Sequence, residues 1–141
     1  MPSDHISKKF DAELESVRAS VLQMGGLVEQ QINRAMEALA NGDMPLADQV
    51  IKDDHRVNAM EVGIDDDCTR IIAKRQPTAG DLRMVMTVVK TITDLERIGD
   101  EAQKIARMAK LAHTREHVAS PRFSEVLYAS SVALDMLKTA L

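Results

Sequence analysis

Tryptophan is absent from the 141-residue chain, which carries only one tyrosine and two phenylalanines. A strand-rich core of β-branched and aromatic residues is therefore excluded, and so are the stacking platforms of single-strand nucleic-acid binders. Cysteine is nearly absent too. The lone Cys68 rules out a disulfide framework within the chain and points to a reducing compartment. It lies on an apolar stripe, as a small core residue does. No apolar run approaches membrane-spanning length, and the opening MPSDHISKKF lacks a signal-peptide core, so a cytoplasmic protein is expected. Positive charge is also short. A net charge of −4 argues against nucleic acid, whose phosphates require a clustered cationic surface. Lys104, Arg107 and Lys110 form one local basic stripe, which reads as a solvated face near a helix C-terminus.

What remains is aliphatic. Nine methionines join many Ala, Leu, Val and Ile residues, a composition that suits helix on helix. The expected class is all-α. A first helix runs from roughly residue 6 to 41, capped by Ser3 or Asp4 and stopped by Asn41-Gly42. Its stripe is Phe10, Leu14, Val17, Val21, Met24, Val28, Ile32, Ala35 and Leu39. Asp43 caps a second helix that carries Pro45 in its first turn and ends at about Arg75, ahead of Pro77. Thr78-Ala79-Gly80-Asp81 fits a variant capping box that opens a third helix, reaching about residue 113.

Short turns make successive helices antiparallel, so residues 1–113 are expected to form an elongated three-helix bundle. Residues 114–121 form a polar connection, and Ser120-Pro121 opens a fourth helix over 122–141. That helix stops in mid-pattern at Leu141, so the chain reads as the first part of a longer protein. A faint repeat agrees: Ile32-Asn33-Arg34-Ala35-Met36 resembles Leu137-Lys138-Thr139-Ala140-Leu141. The fourth helix then begins an incomplete second bundle.

Two helices carry acids where the stripe calls for apolar side chains. On the second helix the line Ala47, Val50, Asp54, Val57, Glu61, Ile64, Cys68, Ile71 is broken twice, with Asn58 between the acids. On the third helix the line Leu82, Val85, Val89, Ile92 continues into Glu96 and Asp100, within the stretch DLERIGD. Glu61 and Asp65, like Glu96 and Asp100, are four apart and share a face. A hairpin centred near Pro77 pairs positions whose numbers sum to about 154, which sets Asp54 near Asp100 and both Asn58 and Glu61 within a turn of Glu96. The first hairpin, centred near Asp43, pairs positions summing to about 86 and sets Gly25-Gly26 opposite Glu61. With Gly63 and Gly99 nearby, this is expected to be a level with room in it.

Crowded carboxylates cannot all stay ionised without compensation. They share protons, pair with arginines such as Arg34 or Arg97, or hold a multivalent cation; oxygen donors suit Mg²⁺, Ca²⁺, Mn²⁺ or iron. Solvated acids at the edge of the stripe are the bland alternative. His113 and His117 have i, i+4 spacing but fall among polar residues at a helix end. No acid is followed three residues later by His, so the Glu-x-x-His element of ferritin-like di-metal bundles is missing. No P-loop or nucleophile motif occurs, and nothing in the sequence demands catalysis.

Three segments resemble the PhoU family of phosphate-uptake regulators. They are Phe10 to Leu39, Asp43 to Cys68 and Arg75 to Ile105, the last joining Arg-Gln-Pro, Asp-Leu-Arg and DLERIGD at the family's spacing. The resemblance covers roughly residues 10–110. It implies two pseudo-repeated three-helix bundles, of which this chain holds the first and the opening helix of the second. It implies a metal site at paired Glu/Asp-x-x-x-Asp motifs, here Glu61, Asp65, Glu96 and Asp100, with a divalent or multinuclear metal such as iron, Mn, Mg or Zn. By that reading Gly99 makes room for the cation. It further implies a non-enzymatic homodimeric regulator that represses phosphate-starvation genes and phosphate uptake. The partners are the ATPase subunit of the phosphate transporter and a phosphate-sensing histidine kinase, so that the membrane is met only through them. A carboxylate-liganded metalloprotein, either a metal store or a di-metal enzyme, is the alternative from a different class.

Overall fold

A computed structural model describes residues 2–114 and, beyond them, residues 128, 131, 132, 134–137 and 139. Three long helices account for the first of these: α1 (Pro2–Asn41), α2 (Met44–Arg75) and α3 (Ala79–Thr114). Each packs on both others, so the section is a triangle rather than a row. The later described residues are helical. The 114–121 connection, the start of the fourth helix and His117 lie largely or wholly outside the described residues.

Turn chemistry sets the register. Gly42 takes φ +65°, the left-handed conformation that glycine adopts without steric cost, and the Asp43 N–H donates back to the Ala38 carbonyl at 3.0 Å. Asp43 then begins the next helix, its carboxylate accepting from the Leu46 N–H at 3.1 Å. One residue closes α1 and opens α2. At the other end Gln76 takes the left-handed cap position at φ 44°, ahead of Pro77. Thr78 caps α3: its hydroxyl accepts from the Asp81 N–H at 3.3 Å and donates to the Asp81 carboxylate at 2.9 Å. The expected boundaries stand except at the start, where α1 reaches back to Pro2 rather than residue 6; proline is well suited to a first helical position.

The predicted stripe of α1 is buried along its whole length. So is that of α2, apart from Glu61, which is half-buried. The α3 stripe runs differently. It passes through Val85, Ile92, Leu95, Gly99, Ala102, Ala106 and Ala109, while Leu82 is exposed and Val89 half-buried. The reading anchored on Leu82 was rotated by about one residue, because a 3.6-residue helix drifts off a fixed four-residue step. Near the α1–α2 turn the buried side chains are small, with Ala38, Ala47, Ala106 and Ala109 all inside. Small side chains there let the three backbones approach. Toward the other end the filling is larger, from Phe10, Leu14 and Ile71.

Candidate functional site

The DLERIGD stretch divides into three arcs around α3, since successive residues turn by about 100°. Leu95 and Gly99 point into the core. Glu96 and Asp100 flank it on the side of α2 and are half-buried. Asp94, Arg97 and Ile98 line a groove on the opposite side, together with Met136 and Leu137.

On the α2 side the register expectation is met. Burial pushes the Glu61 carboxyl above its ordinary range, and the charge of Glu96 across the seam adds to this, followed by Asp65 on its own helix. One level along, Asp54 is 8% exposed. Burial pushes its carboxyl up as well, and Asp100 reinforces the shift; an Asn58 side-chain N–H at 3.5 Å opposes it, as do the charges of Arg107 and His55. The seam thus sets acid against acid at two successive levels, Glu61 with Glu96 and Asp54 with Asp100.

One expectation about this seam needs correcting. Gly99 does not open space for a cation. A β-carbon there would lie 3.1 Å from Val57 Cγ1, so the glycine makes room for Val57 and brings α2 and α3 together. Of the other glycines, Gly25 is buried on α1. Gly63 and Gly26 are exposed with open space above them, and Gly63 lines an α1–α2 groove rather than the α2–α3 seam. Among the described residues no three His, Cys, Asp or Glu side chains converge as a metal cage. The donor chemistry fits a hard or borderline cation, while the placement supplies facing pairs rather than a closed set.

The proposed arginine partners go elsewhere. Arg34 lies 4.0 Å from Asp53, and Arg97 is exposed on the groove side. The basic stripe on α3 is tied to acids more than a purely solvated face would be. Lys110 Nζ sits 2.6 Å from Asp48 on α2, Lys104 3.3 Å from Glu101, and Arg107 is felt at Asp54.

Gln31 escaped the sequence reading. It is 1% exposed, and its amide donates to the Val50 carbonyl on α2 at 2.8 Å. That bond fixes the amide's orientation and leaves Oε1 buried with no hydrogen-bond partner. Its position beside Ile32 and one turn from Val28 and Ala35 was the available signal, since a wide core-facing stripe takes in such neighbours. Cys68 is buried as expected, and burial raises its thiol, as do Asp65 and Asp67 less strongly, so it is an inert core residue.

The PhoU domain model matches residues 21–109. The chain belongs to the PhoU family. It is 58% identical over 113 residues to the phosphate-specific transport system accessory protein PhoU of Serratia marcescens, covering 80% of this chain and 46% of that protein. It is 49% identical over 138 residues to the corresponding homolog of Pseudomonas aeruginosa, covering 97% of this chain and 56% of the homolog. The crystal structure of PhoU from P. aeruginosa superimposes with a TM-score of 0.82 at 48% identity, over 92% of this chain and 61% of that one. The chain spans about half the length of the curated PhoU relatives it matches. PhoU relatives are named as accessory proteins, not as enzymes. No described helix of this PhoU chain is long and apolar enough to cross a membrane.

Proposed function

We propose that this chain serves in a cytoplasmic regulator of phosphate homeostasis, an adaptor that represses phosphate-starvation genes and phosphate uptake. Its partners in this reading are the ATPase subunit of the phosphate transporter and a phosphate-sensing histidine kinase, and it works as a homodimer. The observation that carries the proposal is the 58% identity over 113 residues to a phosphate-specific transport system accessory protein, a span that includes most of the bundle. Long exposed helical faces support it physically, because such faces dock partner helices without any chemistry of their own.

The facing acids support a second element of the proposal, a cation held at Glu61, Asp65, Glu96 and Asp100. All four donors are carboxylates, and iron, Mn, Mg or Zn would bring the countercharge that the raised Glu61 carboxyl lacks. The same acids favour the competing reading of a carboxylate-liganded metal store or di-metal enzyme. A starvation-gene reporter separates the two: in cells lacking the gene, repression in rich phosphate is expected to fail and to return with the intact gene. Unchanged repression in the deletion strain would remove the adaptor reading.

A further inference from the structure

The triangular section gives the bundle three sides. Leu134 and Leu137 join the core from the side of Arg97 and Ile98, and the α2–α3 side is the acidic seam. The remaining side, between α1 and α2, holds a hollow of about 180 Å³. Val17 and Ile71, both buried, form its floor. Ser16 and Glu13 of α1 wall it on one side, and Asp67, Arg70 and Lys74 of α2 on the other.

The charges of this lining are not evenly spent. Both oxygens of Glu13 accept from Arg75, at 2.6 and 3.4 Å. Asp67 is half engaged: its Oδ1 accepts from Arg70 at 3.0 Å, and its Oδ2 has no hydrogen bond among the described residues. Lys74 makes no ion pair among the described residues, and the Ser16 hydroxyl makes no hydrogen bond among them. The charges of Lys74 and Arg70 nonetheless reach the hollow, since both add to Arg75 in holding the Glu13 carboxyl below its ordinary range. Arg70, Lys74 and Arg75 stand against Glu13 and Asp67, an excess of one positive charge.

Lys74 lies in the last turn of α2, where a cation complements the helix dipole. That accounts for the charge but not for free donors and a free acceptor around one small hollow. A fully deprotonated anion would meet the donors of Lys74, Arg70 and Ser16 and be repelled by Asp67. An oxyanion that keeps a proton suits both, accepting from the cations and donating its own O–H to the carboxylate. Inorganic phosphate near neutral pH is such an ion, and sulfate is not.

We propose that this hollow binds inorganic phosphate. Lys74, Arg70 and the Ser16 hydroxyl donate to its oxygens, and Asp67 accepts from its O–H. Arg70 has N–H donors to spare, because a guanidinium carries five. The choice of phosphate among protonated oxyanions rests on the phosphate-regulator reading above. It puts a phosphate sensor on this chain, on a different side from the acidic seam.

Titration of the purified chain in metal-free chloride buffer at constant ionic strength, followed by amide NMR shifts, tests this. Phosphate is expected to saturate with a Kd of about 1–10 mM, and sulfate to bind about tenfold more weakly or worse. Lys74→Ala should weaken phosphate by about tenfold or more. Asp67→Asn should erase the preference, because an amide also donates to sulfate. Lys52→Ala, at an exposed α2 cation outside the hollow, should change nothing. Circular dichroism confirms that each variant is folded. No saturation, equal affinity for the two ions in the intact chain, or equal losses in Lys74→Ala and Lys52→Ala would each overturn the proposal. So would tighter binding of O-phosphoserine than of the free ion, which would assign the hollow to a phosphorylated partner. The titration uses neither partner nor reporter, so its failure leaves the adaptor reading standing, and a failed reporter leaves the measured binding standing.

Discussion

The two seams of α2 are built on opposite electrostatic rules. Against α1, polar groups meet partners of complementary type. Arg75 donates to Glu13 at 2.6 Å, Arg34 faces Asp53 at 4.0 Å, and Gln31 bonds the Val50 carbonyl at 2.8 Å. Against α3, the central levels put Glu61 toward Glu96 and Asp54 toward Asp100, and the cationic partners Lys110 and Arg107 lie toward one end. The result is a carboxyl held below its ordinary range at Glu13 and carboxyls held above it at Glu61 and Asp54. One helix therefore carries a seam whose charged side chains face opposite charges and another that is left wanting a positive charge. Stability alone explains the first. The second costs stability, and such sites are where function is to be sought.

The strongest test of this contrast is steric. Gly99→Leu should cost about 2–3 kcal/mol by forcing α3 away from Val57, seen as a fall in melting temperature of several degrees. If Gly99 instead fronted a cavity for a cation, the chain would accept the larger residue with little loss. Next in size, Gln31→Ala should cost about 2 kcal/mol in chemical denaturation, since it removes a buried side chain and its bond to Val50.

The third test concerns the missing charge. Protein purified without chelators is expected to carry metal that the Glu96→Ala, Asp100→Ala double variant loses, as measured by elemental analysis. In parallel, Glu96→Gln should lower the melting temperature in metal-replete buffer but not in chelator, where relief of repulsion toward Glu61 leaves it level or raises it by about 2 °C. Equal shifts in both buffers would count against a cation.

The smallest effect is the most diagnostic, because the two seams answer pH with opposite sign. Glu61 and Asp54 have folded pKa values raised above 4.5 and 3.8, so their contribution is fully present below those values and is lost as pH rises through the raised folded values. Glu13 is lowered from 4.5, so its contribution is present above 4.5 and is lost as pH falls through the lowered value. In metal-free buffer, Glu61→Gln should flatten the gain in melting temperature on acidification from neutrality, and Glu13→Gln should remove the loss below about pH 4.5. Matching pH profiles for the two variants would erase the distinction between the seams.

Much of this was legible in the residues. Helix ends carry local signals, and Gly42, Asp43, Pro77 and Thr78 announced them. The pairing of Glu61 with Glu96 and of Asp54 with Asp100 followed from turn length alone, since tight turns leave antiparallel helices no freedom to slip. Rotation about a helix axis was harder to read. Extending the stripe from Leu82 to Glu96 and Asp100 in steps of three and four placed the acids inside, whereas Leu95 and Gly99 hold that position. Periodicity gives the width of a buried face but fixes its centre poorly when acids and alanines share the edge. The role of Gly99 was likewise beyond the sequence, because its reason is a valine on another helix. Gln31 was missed since a lone polar residue beside an apolar stripe reads as surface until a carbonyl across the interface is seen to receive it.

The three arcs of DLERIGD make α3 a shared axle. Its seven residues touch the acidic seam, the core and the outer groove within two turns of one continuous helix. A twist of α3 that parts Glu96 from Glu61 must also move Asp94, Arg97 and Ile98 relative to Leu137. Whatever grips one side of this helix is therefore mechanically geared to whatever lies on the other.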